Sequence, residues 1–467
     1  MRRLTVLERG RLVRGDTDDW GECREGTPSY RLLPRRVYDR LERYELTQVD
    51  EEGEKRIVDW RERHGIVGPW VGLIQIPGLQ LEILPKTDGG EVPPDEEKRD
   101  HYIRGTRDNL LVMLARGGMA SVRARGTADL SVQRGSIHDR LVESFLERTI
   151  VELLRGHDRT YVAEEANLLA MRGKLLISRQ LTTNAAQRHR FYCRHDVLTE
   201  ATQISIRLKQ ACRTLLWRGM PTSEVAKVQT ALALLDDVPD VAYRPGEPNP
   251  VFHRQNERFG EIYRFACMLL ERQAADVRRG DVSTFSLLFN MDQVFERFIA
   301  AFVRAEVVPE LGAEARPQGK GDRRPLFRDP KAERDVLNLK PDLLVTHGEK
   351  TLVLDTKWKR LSENKAARPS DPDLYQLYAY LHRYSCGRAI LLYPARAGVV
   401  ARDLEALRGK PGAKAGENAG TVGVSFVDVS RTLRTPQGKA ELARELKGII
   451  RRGLGLPEKE VPEKVSS

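Results

Sequence analysis

Residues 339–361 read LKPDLLVTHGEKTLVLDTKWKRL, and the fold of the C-terminal third turns on them. Two apolar runs, Leu343 to Val345 and Thr351 to Leu354, flank the polar turn THGEK, a pattern that predicts an antiparallel hairpin. Asp342 stands at the start of the first strand, while Asp355 and Lys357 stand at the end of the second. Antiparallel pairing brings those ends together, and the two-residue period of a strand puts Asp355 and Lys357 on one side. Three charged groups therefore converge on one point. Two carboxylates so placed repel each other unless a cation neutralises them, and an all-oxygen donor set suits a hard divalent ion, Mg2+ or Mn2+. Such an ion activates water for in-line attack on a phosphodiester, and a neighbouring lysine orients that water or balances developing charge. A bare PD…DxK match in a charged protein is more often a solvated hairpin with an ordinary ion pair. The flanks decide between the two.

Upstream, FNMDQVFERFIAAFVRAEV (289–307) is an amphipathic helix on which Val294, Phe298 and Phe302 recur every four residues. Glu296 lies on a different face, where it can add a metal carboxylate. Downstream, DLYQLYAYLHRY (373–384) is a helix with Gln376 and Tyr380 four apart on one face, and RAILLYPA (388–395) is a strand. The order helix, strand, strand, helix, strand and the QxxxY pattern resemble the RecB-like members of the PD-(D/E)xK nuclease superfamily. That resemblance implies an α/β nuclease domain with a mixed sheet. Its catalytic residues would be Asp342, Asp355, Lys357, Gln376 and Tyr380, with Asp342, Asp355 and Glu296 as metal ligands. The Arg- and Lys-rich stretch 312–335 reads as a disordered surface loop, though one basic enough to touch DNA, and 409–420 reads as a second loop.

Further from the hairpin the chain changes character twice. WVGLIQIPGLQLEILPK (70–86) places Leu73 to Ile76 and Leu79 to Leu84 around a Pro77-Gly78 turn, a second hairpin, after a first strand at Leu4 to Leu7. RRVYDRLERYEL (35–46) is a short amphipathic segment, and a helix is expected from about Tyr102 to Arg116. Between about 136 and 275 the period becomes helical: Leu141, Phe145, Ile150 and Leu153 share a face, as do Ile204, Leu208, Ala211 and Leu215. The expectation is an α+β multidomain protein: a β-rich N-terminal domain (1–130), a helical middle domain (131–280) and the α/β nuclease domain (281–467). In the middle, His189, Cys193 and His195 of QRHRFYCRHD lack a fourth ligand, and three neighbouring arginines repel a cation, so a basic surface element is the better reading.

Length and composition agree. A chain of 467 residues exceeds one ordinary core, and no apolar run approaches the roughly 18 residues that cross a bilayer. The apolar start is broken at once by charge, unlike a signal peptide, so a cytoplasmic protein without membrane contact is expected. Five scattered cysteines with no CxxC pair argue against a disulfide framework and a zinc ribbon. A net charge of +11 is compatible with double-stranded DNA as partner. No GxxxxGK(S/T) phosphate loop occurs, so any nucleotide-driven step belongs to another chain.

Ordered blocks along most of the chain resemble the McrC family, the nuclease subunit of McrBC modification-dependent restriction systems. They are GLIQIPGLQLEILPK, then MRGKLLISRQLTTN with RFYCRHDVLTEATQISIRLKQACRTLL, then FNMDQVFERFI, LKPDLLV, LVLDTKWK and DLYQLYAY. The resemblance implies a hexameric AAA+ GTPase partner of the McrB type, which recognises modified DNA and translocates it while this subunit cuts. It also implies that the N-terminal part enters the partner's ring and stimulates its hydrolysis, with an arginine between Arg35 and Arg43 as candidate. A double-strand cut by one site per chain calls for two copies near the DNA, brought together through partner assemblies. Two alternatives stand beside it: a standalone RecB-like DNA nuclease, and a catalytically silent regulatory subunit of a ring ATPase.

Overall fold

Aliphatic and β-branched runs at the N-terminus form β1 (Arg2–Leu7), β2 (Arg11–Arg14) and β3 (Tyr30–Leu33). After α1 (Arg35–Leu46) come β4 (Val58–Trp60), β5 (His64–Val67), β6 (Trp70–Ile76) and β7 (Leu79–Leu84), and then α2 (Glu96–Arg116). The computed structural model describes residues 2–20, 28–46, 57–87, 92–93, 95–119, 137–216, 222–244, 247, 249–278, 285–359, 369–395, 399–407 and 418–457. They fall into two compact units, Met1–His138 with Ser283–Ser467, and Asp139–Val282.

The chain changes unit at 282/283, next to the boundary expected near residue 281, but what lies on either side of the middle segment is one unit and not two domains. The N-terminal sheet has the order β1-β7-β6-β11, and its last strand, β11 (Phe285–Asn290), comes from beyond the middle of the chain. The expected 1–130 and 281–467 segments thus share one unit. Gly72 explains how β11 fits: its φ of 133° is open to glycine, and a Cβ there would lie 2.0 Å from the Leu287 carbonyl oxygen. β6 and β7 form the predicted hairpin, with β7 buried along its whole length between β6 and the parallel β1.

β11 runs directly into α8 (Met291–Phe302), which the Asn290 side chain caps by accepting from Asp292 N. Met291, Val294, Phe295, Phe298, Ile299 and Phe302 are buried at helical spacing, leaving Asp292 and Glu296 on the polar face. A π turn (Val303–Val307) and α9 (Val308–Leu311) follow. The main sheet then has six strands in the order β12-β15-β16-β17-β19-β18. These are β12 (Glu314–Pro317), β15 (Leu343–His347), β16 (Lys350–Thr356), β17 (Arg388–Pro394), β18 (Arg402–Leu407) and β19 (Asn418–Val427). The sheet is mixed: β15 and β16 pair antiparallel, while β17 runs parallel to β16 and β19. One face packs Leu344, Val353, Leu391 and Val424 against Leu377, Tyr380 and Leu381 of α10 (Asp371–Arg383). α11 (Pro436–Leu454) lies near the sheet through Gly453, where a Cβ would meet Leu352 Cδ2 at 2.6 Å.

The stretch 312–335 departs from the expected disordered loop. It supplies the edge strand β12 and most of a separate hairpin, β13 (Pro325–Asp329) with β14 (Arg334–Asn338). An edge strand and an exposed hairpin bury too little to leave an apolar alternation in the sequence. Of the second expected loop, residues 418–420 begin β19, and 409–417 lie outside the described residues.

The second unit is less purely helical than its periodicity predicts. Helices α3 (Ile137–Leu154), α5 (Gln203–Leu216), α6 (Thr222–Leu234) and α7 (Gly260–Arg278) stand where expected. Between α3 and α5 lies an antiparallel sheet of order β8-β10-β9, formed by β8 (Thr160–Leu168), β10 (Phe191–Thr199) and β9 (Lys174–Leu175), with α4 (Ile177–Thr183) alongside. The expected basic element QRHRFYCRHD runs into β10, where Cys193 is buried and Arg194 pairs with Glu165. Among the described residues no helix is long and apolar enough to cross a membrane.

Candidate active site

The β15–β16 register runs Leu343↔Leu354, Leu344↔Val353, Val345↔Leu352, so one step further sets Asp342 opposite Asp355. The same alternation puts Val353, Asp355 and Lys357 on the face that α10 covers. Lys357 N donates to Leu392 O at 3.0 Å, extending the pairing with β17 and fixing the backbone at the lysine. The convergence predicted for Asp342, Asp355 and Lys357 is present.

Asp342 Oδ2 accepts from both the Thr356 amide and the Thr356 hydroxyl, each at 2.7 Å, which locks it to the far strand. Asp355 is 1% exposed. Lys357 Nζ lies 2.8 Å from Asp355 Oδ2, so that buried oxygen has the ammonium beside it but, among the described residues, no well-aligned hydrogen-bond donor. Burial, then the Asp342 charge, pushes the Asp355 carboxyl up to about 7 against the pull of Lys357. Burial likewise raises Asp342 despite the Thr356 hydrogen bonds. Lys357 shows the opposite balance: burial opposes its charge, but Asp355, Asp373 and Asp342 outweigh it and hold the ammonium above its ordinary range.

Gln376 and Tyr380 complete a directional chain. Lys357 Nζ donates to Gln376 Oε1 (3.2 Å), Gln376 Nε2 donates to Tyr380 Oη (2.9 Å), and Tyr380 Oη donates to Lys340 O (3.1 Å). The last acceptor lies two residues before Asp342, so α10 ties the lysine of one strand to the root of the other. Burial pushes the Tyr380 hydroxyl up, keeping it a neutral donor.

Glu296 stands at the margin. Its Oε1 accepts from Gln318 Nε2 at 3.2 Å, and Gln318 N donates to Asp342 O at 2.9 Å. Burial, then the Asp342 charge, raises the Glu296 carboxyl, which places it within electrostatic reach of the pair. The expected ligand set Asp342, Asp355 and Glu296 is not drawn into one tight group. Among the described residues no three His, Cys, Asp or Glu side chains are gathered closely enough to hold a metal ion. What does fit a hard cation is the pair itself: two carboxylates of raised proton affinity, one with a buried oxygen lacking a donor.

Three further residues were not singled out from sequence. Asp292, one turn before Glu296 on the same face of α8, accepts from Trp358 N at 3.2 Å. Asp373 accepts from Ser370 Oγ (2.5 Å) and Lys359 Nζ (3.3 Å) and lies 3.7 Å from Lys357 Nζ. Extending the Gln376–Tyr380 stripe back by three residues would have found it. Glu8 of β1's end is 3% exposed and accepts from Trp358 Nε1 with both oxygens at 2.8 Å, tying the N-terminal sheet to the residue after Lys357. No sequence spacing links positions 350 residues apart.

The family model described as McrBC 5-methylcytosine restriction system component matches residues 66–394, from within β5 to the end of β17. The chain belongs to the McrBC component family. The matched span holds every block on which the resemblance to McrC was drawn, and that resemblance stands. The McrBC component fold is also found in a chain of the refined half-complex from the tetradecameric assembly of Thermococcus gammatolerans McrB AAA+ hexamers with bound McrC. That chain is 18% identical, and the match covers 96% of this chain and 100% of that one with a TM-score of 0.59. A chain of the Thermococcus gammatolerans McrBC complex determined by cryo-electron microscopy is 19% identical, with 65% of this chain and 88% of that chain covered and a TM-score of 0.46. No curated protein matches.

Proposed function

We propose that this chain is the DNA-cutting subunit of an McrBC-type restriction system, a divalent-metal-dependent endonuclease driven by a separate McrB-like AAA+ NTPase whose hydrolysis it stimulates. The observation that carries the reading is the convergence of Asp342, Asp355 and Lys357, with Lys357 steered by Gln376 and Tyr380, inside a chain of this family. Asp342 and Asp355 would hold Mg2+ or Mn2+, with Glu296 next to them. When bound, that ion supplies charge neutralisation and a more acidic water.

The chain's own groups do the rest. Thr356 fixes Asp342 and favours its charged form against burial by donating twice to one oxygen, leaving its other oxygen for a ligand. The Lys357 ammonium, held by Gln376, donates to charge that develops on the phosphate as the new oxygen bond forms. Tyr380 and the Lys340 carbonyl keep Gln376 in the one orientation that accepts from the lysine. The partner enters through the family and through the McrB hexamers that accompany the solved relative, and it suits a chain without its own phosphate loop.

The test uses Asp355→Ala and Lys357→Ala proteins with Mg2+, methylated and unmethylated DNA, and the purified ring NTPase with GTP or ATP. Cleavage is expected to fall well beyond the roughly 10–100-fold that loss of an outer-shell partner costs, while stimulation of the partner's hydrolysis persists. Undiminished cutting by both variants would remove the assigned site. Robust cutting by the wild-type chain alone, without nucleotide, would return the standalone nuclease.

A further inference from the structure

Lys357, just past the end of β16, is gripped from two elements. Its Nζ lies 2.8 Å from Asp355 Oδ2, donates to Gln376 Oε1 at 3.2 Å and lies 3.7 Å from Asp373 Oδ1. Gln376 and Asp373 stand three residues apart on α10, so they present one face to the lysine. The ammonium therefore has one carboxylate on its own strand and a second on the helix. Asp373 is 5% exposed, and a carboxylate so deep needs partners to stay charged. It has them: Lys359 Nζ donates to both of its oxygens at 3.3 Å, and the Ser370 hydroxyl donates to Oδ2 at 2.5 Å. Burial opposes its charge, but Ser370, Lys359 and Lys357 outweigh it and hold the carboxyl below its ordinary range.

A first-turn acid can simply serve its helix. Ser370 and Asp373 have the spacing of a capping box, in which the N-cap hydroxyl bonds a first-turn amide and the acid reaches back to the N-cap amide. Here the Ser370 side chain makes no cap hydrogen bond among the described residues, and its hydroxyl turns to the Asp373 carboxylate instead. The serine steers the acid, and the acid faces the two lysines.

We infer that Asp373 is a positioning residue of the proposed nuclease site, a second carboxylate that keeps the Lys357 ammonium on α10 when a divalent cation takes Asp355. The inference rests on the nuclease reading. Lys357 and a cation at Asp355 seek the same buried oxygen. With Asp355 as its sole carboxylate, the ammonium would either obstruct the ion or lose its anchor to it. Asp373 removes that conflict, because the lysine can give up Asp355 and stay charged beside Asp373 while bonded to Gln376. Lys359, two residues further on and half-exposed, offsets the charge that Asp373 adds.

The test reads two quantities in the full chain: Mn2+ binding by electron paramagnetic resonance, without DNA or nucleotide, and Mg2+-dependent cleavage driven by the ring NTPase. Asp373→Asn is expected to weaken Mn2+ binding severalfold, because the ammonium falls back on Asp355. It is also expected to lower kcat roughly 10–100-fold, the range for an outer-shell partner, with KM for DNA changed less than about twofold. Asp373→Glu keeps the charge and is expected to recover most of the lost kcat. In a Lys357→Ala background, Asp373→Asn is expected to leave Mn2+ binding where Lys357→Ala alone puts it, since the effect runs through the lysine. Stimulation of the ring NTPase reports folding, and Asp373→Ser, which keeps a first-turn hydroxyl, stands in if Asp373→Asn does not fold. Wild-type kcat and Mn2+ binding in Asp373→Asn overturn the inference. So does an equal loss of Mn2+ binding in the Lys357→Ala background, or a loss of kcat that Asp373→Glu leaves unrepaired, since the acid then acts without the lysine. Asp355→Ala tells the two failures apart: if it still cuts, the nuclease site is wrong, and if it is inactive while Asp373→Asn is unchanged, only the role of Asp373 fails.

Discussion

Glu82 in the N-terminal sheet and Asp355 in the main sheet are both buried carboxylates on central strands, at 5% and 1% exposure. Their surroundings are opposite. Glu82 receives Arg107 through two hydrogen bonds (2.8 and 2.6 Å), the Thr5 hydroxyl and the Ile137 amide, so every lone pair that matters is answered. Asp355 faces Asp342 and, among the described residues, has one oxygen with no well-aligned donor and the Lys357 ammonium 2.8 Å away as its compensation. The first arrangement holds α2 and the Ile137 backbone against the sheet. The second leaves a buried carboxylate whose charged form is disfavoured by burial and by its neighbour Asp342. Burial alone therefore does not separate a fully satisfied carboxylate from one whose charge is poorly compensated; the completeness of its donors does.

Removing a partner from the complete site should cost most. Arg107→Ala strands the Glu82 charge and is expected to destabilise the protein by about 3–5 kcal/mol in urea unfolding. Joint replacement by leucines should recover part of that, and an unperturbed Arg107→Ala protein would break the contrast.

The incomplete site should respond with the opposite sign. Asp355 keeps its proton in the folded chain up to about pH 7 but loses it near 3.8 when unfolded. Between those values the native state binds more protons, so this group's stabilisation is full below about pH 4 and is lost as pH rises to 7, at about 1.4 kcal/mol per unit. Metal-free Asp355→Asn protein should thus be more stable than wild type at pH 8, on the order of 2–4 kcal/mol, and the gain should vanish near pH 4. A pH-independent difference would refute the assignment of the strain to ionisation. The smallest effect is expected at the joint between the regions: Trp358→Phe removes the donor to Glu8 and should cost about 1–3 kcal/mol in stability, with cleavage falling alongside. Unchanged stability and cleavage would show that Glu8 and Trp358 do not couple the sheets.

Much of this was legible where side chains repeat at short range. The hairpin of Asp342 and Asp355 follows from two apolar runs and a turn, because register across a tight connection is fixed by local geometry. The Gln376–Tyr380 stripe follows from helical spacing, and only its first member, Asp373, went unnoticed. What local patterns do not carry is pairing at a distance. β11 joins β6 across about two hundred positions, and Glu8 meets Trp358 across 350. Nor do they carry strands that bury little, such as β12 to β14 and the small sheet of the second unit, where β8 is exposed from Thr160 to Glu165.

The late arrival of β11 gives the molecule a timetable. Gly72 waits for Leu288, so β6 leaves the ribosome with an open edge and keeps it while the whole second unit is made. At about 5–20 residues per second that interval is on the order of 10–40 s. α8, with Asp292 and Glu296, follows β11 without a linker, and the strands of Asp342 and Asp355 come later still. A chain cut short before β11 therefore carries an open edge in its first sheet and lacks the strands of Asp342 and Asp355, so synthesis order itself ties the proposed site to a finished scaffold.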